Sequence, residues 1–176
     1  FKKIIKHKFY DEPVHLEHVR FIKKNVDIKN FNPINKSIQD IQNNNFFIDS
    51  HIDEFFRAND FSIILTKSIS KKTIFEFLDV WFKKFIGTDI FFKYPLENSI
   101  RLNHLIWYLQ IYGDSLNKKE NVFLINSIIY LTKYSFYFVE THLNNNHTLI
   151  ESKNILMAGI VFQKFPSSRK WIKKGM

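Results

Sequence analysis

Glycine and proline are scarce in this sequence, four of each in 176 residues, and that scarcity limits how the chain can fold. A β-sandwich or barrel needs a turn signal about every 8–12 residues. Long apolar-periodic stretches with few breakers favour helices instead. No strand patterns alternate with the helical ones, so a parallel sheet is not expected. The sequence predicts an all-α chain of one domain, or part of one, in which helix, short loop and helix form antiparallel hairpins. With 45% hydrophobic and 24% charged residues and 20 Phe, the chain has material for a core and is not expected to be disordered.

The few breakers and caps place the elements. Asp11-Glu12-Pro13 starts a helix carrying Leu16, Val19, Ile22 and Val26. Residues 30–45, rich in Asn and holding Pro33, read as loop. Residues 46–56 have mixed spacing, and Phe61 to Leu65 is too short to assign. Ser70 caps and Gly87 closes a helix whose Ile74, Phe77, Leu78, Trp81, Phe82 and Phe85 share one face. After a Tyr94-Pro95 turn, Ile100 to Tyr112 forms the next helix, closed by Gly113. Asn117 and Glu120 have the spacing of a capping box before Val122 to Leu143, which ends in Asn144-Asn145-Asn146. A helix from Leu149 to Phe162 follows, with Gly159 allowing close helix contact, and Ser168 to Lys174 starts another.

A formal charge of +9 suits an anionic partner: nucleic acid, an anionic membrane surface or an acidic polysaccharide. The joint abundance of Lys, Asn, Ile and Phe is equally what a biased codon supply produces. The paired lysines Lys23-Lys24, Lys71-Lys72, Lys83-Lys84 and Lys118-Lys119 lack the interleaved aromatics of a single-strand platform, so no nucleic acid is expected. Zero cysteines exclude disulfides and thiolate metal sites. No apolar run reaches the roughly 18 residues of a membrane span. No export signal is visible, and the start at Phe1 and stop at Met176 read as cuts through a longer protein.

The most informative stretch is Glu140-Thr141-His142-Leu143-Asn144-Asn145-Asn146-His147-Thr148-Leu149-Ile150-Glu151, followed by Ala158-Gly159, Phe162 and Trp171-x-x-x-Gly175. A second comprises Tyr94-Pro95-Leu96 and Arg101-Leu102-Asn103-His104. Together they resemble the N-terminal helical domain of the heparinase II/III and alginate lyase-like polysaccharide lyases, over residues 75–175, with His104 where that family usually has Trp. The resemblance implies an incomplete (α/α) toroid. It further implies a fragment of an exported enzyme, periplasmic or secreted, that degrades glycosaminoglycan or alginate. Its partner would be an anionic uronate-containing polysaccharide, and no cofactor is implied.

The chemistry implied is β-elimination, in which a base removes the proton beside the sugar carboxylate and donors neutralise that carboxylate as charge develops. By resemblance Asn146 and His147 are those donors, with His147 also a candidate base. Arg101, Tyr94 and Glu151 are candidates for the substrate-binding side. Each has a plainer alternative: Asn146 as a helix C-cap, His147 as a surface histidine, Arg101 as a structural residue at a helix end, and Glu140 and Glu151 as exposed helix acids. His142 and His147, five apart, miss the four-residue step of a helical metal pair, so no metal is expected. Trp81 and Trp171 read as core. A downstream tyrosine and a histidine from a C-terminal β-sandwich domain, which the family uses, have no counterpart in these 176 residues. The expectation is therefore that the piece alone has no lyase activity.

Overall fold

In the computed structural model the described residues are 61–65, 69–141 and 146–176. They form helices joined by turns, with no strand among them, so the all-α expectation holds for the described residues. The expected helix over 11–26, the Asn-rich loop 30–45 and the stretch 46–56 lie outside them. The described residues divide into two compact units, 61–93 and 94–176.

In residues 61–93 a 3-10 turn, Phe61–Leu65, precedes α1, Lys71–Phe85, and α2, Asp89–Lys93. Ser70 Oγ accepts from the Thr73 N–H at 3.1 Å, satisfying a first-turn amide that has no helical partner. The chain leaves α1 at Gly87, whose φ of 76° is open to a residue without Cβ. All six residues of the expected face are buried. Trp81 has no exposed surface and packs its indole against Phe61 and Phe82, both at 5.2 Å between ring centroids, and Phe85 at 5.4 Å. α2 was not expected from the sequence. Thr88 Oγ1 accepts from the Phe91 N–H at 3.3 Å and Asp89 occupies the first turn, a cap-plus-acid signal that is short but present.

Residues 94–176 hold α3, Pro95–Tyr112, a 3-10 turn at Gly113–Ser115, then α4, Lys118–Phe138, α5, Asn146–Val161, and α6, Ser168–Gly175. α3 packs on α4 and α5, α4 packs on α5, and α5 packs on α6. α3 begins at Pro95 instead of Ile100, because proline at the first helical position forfeits only an amide that would be unpaired anyway. The Asn117–Glu120 capping box forms with both bonds, 3.0 Å and 2.8 Å. Asn121 Nδ2 then donates to the Leu116 and Gly113 carbonyls, at 3.1 and 3.3 Å, and fixes the α3–α4 connection.

The α5–α6 contact depends on two glycines. A Cβ on Gly159 would stand 2.7 Å from Ile172 Cγ1, and one on Gly175 would stand 2.5 Å from the Ser152 carbonyl oxygen. The close contact expected at Gly159 is thus made with Ile172 and Ser168, and a second glycine, on the opposite helix, makes its own close contact with Ser152 and Leu156. Trp171 is buried and stacks on Phe165 at 5.1 Å, so both Trp81 and Trp171 are core.

Candidate functional site

The α4–α5 corner differs from the sequence expectation, and the difference builds the site. α4 ends at Phe138 instead of continuing to Leu143, and Asn146 is the first residue of α5 instead of a cap on the preceding helix. Polar groups of α5 hold the main chain that leaves α4. The Glu140 N–H donates to Glu151 Oε2 at 2.8 Å, and the Glu140 carbonyl accepts from Thr148 Oγ1 at 2.9 Å. Its carboxylate lies 3.1 Å from His147 Nδ1. Side chains from the first turns of α5 therefore replace the helical bonds that Glu140 would have made within α4.

The plainer expectation for Glu140 and Glu151 as exposed helix acids fails on burial. Glu151 is 1% exposed, and the Glu140 side chain is 19% exposed against 41% for His147. Burial raises the Glu151 pKa above its ordinary value; the Glu140 N–H opposes that rise and the nearby Glu140 carboxylate adds to it. Asn146 is exposed at the start of α5, beside His147. His142 lies outside the described residues.

The α3 candidates face different surroundings. Arg101 has no exposed surface, and its Nη1 donates to Asn98 Oδ1 at 2.9 Å. Burial pushes the guanidinium pKa down to about 9, with Glu97 and Tyr134 working in the opposite direction. A group charged at neutral pH is thus enclosed in protein, and its fork does not reach solvent. Tyr94 is half-buried directly before Pro95, where its carbonyl accepts the Asn98 N–H at 3.3 Å.

Two features went unread in the sequence. Asn154 Nδ2 donates to the Ser99 carbonyl and hydroxyl at 2.9 and 3.1 Å, tying α5 to α3 from a fully interior position. His104, standing where the resemblance expects Trp, is half-buried. Burial, then the charges of Arg101 and Lys153, push its pKa down to about 4, so it is neutral at physiological pH. Neither has a local sequence signal, because Asn154 depends on a partner from α3 and the shift at His104 comes first from burial, which packing decides.

The structure thus gathers His147 and Glu151 of α5 around Glu140, leaves Asn146 exposed at the first position of α5, and places Arg101 in the interior. Among the described residues no group of three or more His, Asp or Glu could hold a metal ion, and no helix is long and apolar enough to cross a membrane. No protein-family model, curated protein or solved structure matches the chain.

Proposed function

We propose that residues 94–176 belong to an (α/α)-toroid polysaccharide lyase acting on uronate-containing glycans, with the start of α5 as the place that receives the sugar carboxylate. The single observation that carries this reading is the half-exposed His147 held on Glu140 at 3.1 Å, next to an exposed Asn146. An amide and an imidazole can each donate to a carboxylate, and such donors act most where charge develops. In the elimination, the proton on the carbon beside the carboxylate passes to a base and its electron pair becomes the new double bond. The bond to the leaving glycosidic oxygen then breaks, and an acid protonates that oxygen. His147 is the candidate base on this chain. The base or acid on the opposite side belongs to the tyrosine and β-sandwich histidine that the resemblance implies.

The proposal stands on the Asn146-His147 stretch and not on Arg101 or Trp171. The Ala158-Gly159 and Trp171-x-x-x-Gly175 part of the resemblance has a packing account of its own, since Gly159 and Gly175 are what let α5 and α6 approach.

The test is competition binding. Alginate and heparin oligosaccharides are expected to displace each other from one saturable site, and Asn146→Ala to weaken that site by about tenfold, the loss of roughly one charge-assisted hydrogen bond. The rival is a non-catalytic helical binding module for acidic polysaccharide or nucleic acid, supported by the chain's positive charge. Tight single-strand or duplex binding with a steep salt slope, and no mutual displacement by the uronate polymers, would favour the nucleic-acid form of the rival. In a catalytically complete form of the protein, Asn146→Ala is expected to lower turnover more than binding.

A further inference from the structure

Three hydrogen bonds converge on Glu140, just past the end of α4, and all three partners lie on α5: Glu151 on its N–H, Thr148 on its carbonyl and His147 on its carboxylate. The helix that carries the imidazole therefore also holds in place the residue whose carboxylate faces it. Exposure grades along the series, from Glu151 inside, through a mostly enclosed Glu140, to a His147 that reaches solvent.

We infer that Glu140 is a positioning residue that fixes His147 as the Nδ1–H tautomer, placing the basic lone pair on Nε2, and that Glu151 positions Glu140. A carboxylate only accepts hydrogen bonds, so the ring nitrogen facing it is the one that carries hydrogen. The bond made by one ring nitrogen then decides the state of the other. A carboxylate on a mobile surface side chain would hold an imidazole weakly, because ordering both groups opposes the bond. Here the Glu140 backbone is already held at both its N–H and its carbonyl, so only side-chain rotations remain to be ordered. Glu151 is buried where an acid is not expected, and its bond to the Glu140 N–H supplies a reason for its presence.

For what Nε2 does to a sugar, this inference rests on the proposed function: a base must present its lone pair to the proton it removes, and the wrong tautomer presents N–H instead. The tautomer itself needs no glycan to be read. The test uses the chain with 15N-labelled histidine and long-range 1H–15N correlation at about pH 9, above the roughly 6.5 of an ordinary imidazole. The His147 signals are identified by their loss in His147→Gln.

The expected wild-type pattern has Nδ1 in the protonated-nitrogen region and Nε2 in the unprotonated region. Glu140→Ala is expected to move the two nitrogens toward the opposite pattern. Glu151→Gln keeps an acceptor for the Glu140 N–H and should retain the wild-type pattern, whereas Glu151→Leu should lose it. Should Glu151→Leu not fold, Thr148→Val removes the bond to the Glu140 carbonyl and is expected to shift the pattern in the same direction. A wild-type His147 that carries its hydrogen on Nε2, or a pattern unchanged by Glu140→Ala, overturns the inference. The expected tautomer combined with no response to oligouronates would keep the pair and remove the lyase reading, so the two fail separately.

Discussion

The interior of residues 61–93 and the interior of residues 94–176 are built from different materials. In the first, each buried side chain among the described residues is apolar, with Trp81 enclosed by Phe61, Phe82, Phe85 and Phe91. The second buries Asn98, Ser99, Arg101, Glu151 and Asn154 among its leucines and isoleucines. Enclosing an Arg and a Glu opposes stability unless their partners are well placed, and a helical bundle with no further task is made at least as stable by hydrocarbon. The first interior can be explained by packing alone. The second fixes the direction of particular groups, and the group that reaches the surface from it is the Glu140–His147 pair.

The largest expected effect breaks the apolar side of this comparison. Trp81→Ala should destabilise by about 3–5 kcal/mol, the range for removing a large aromatic from a closed core, measured by denaturant unfolding. Next, Arg101→Leu should destabilise by about 1–3 kcal/mol because Asn98 Oδ1 loses its Nη1 donor.

Opposing pH effects sharpen the same contrast, because both arise in residues 94–176. His104, held down to about 4, takes up a proton less readily when folded than when unfolded. Its contribution is therefore complete above the unfolded value near 6.5 and is lost as pH falls toward 4. Glu151, raised above its ordinary 4.5, keeps its proton longer when folded. It removes stability as pH climbs from 4.5 through the raised value. The two limbs oppose each other across the mildly acid range. His104→Gln is expected to expose the falling limb and Glu151→Gln the rising one, in thermal melts followed across pH. The smallest effect belongs to the exposed Lys83–Asp79 pair on α1, where Lys83→Ala should change stability by less than about 0.5 kcal/mol in the same unfolding measurement.

What could be read in the sequence was local. The α1 face lies within one helix, the Ser70 cap and the Asn117–Glu120 box each lie within a single turn, and each forms as expected. The close approach at Gly159 was also legible, although its counterpart Gly175 entered only as part of a resemblance. The end of α4 was not legible, because the groups that draw Glu140 out of the helix sit seven to eleven residues away on α5. Continued helix was the better local guess. Burial of Arg101 and Glu151 was equally hidden, since both residue types are ordinarily exposed and only packing among α3, α4 and α5 encloses them. The resemblance drew attention to Asn146, His147 and Glu151. The part played by Glu140 comes from the fold.

The most direct test of the proposed function is a titration of the 15N-histidine-labelled chain with a short oligouronate, read at His147. The account predicts a saturable movement of the His147 signals that Asn146→Ala weakens and that a second uronate polymer reverses. His147 signals that stay in place at saturating oligouronate, in a chain whose melt confirms that it is folded, would contradict it.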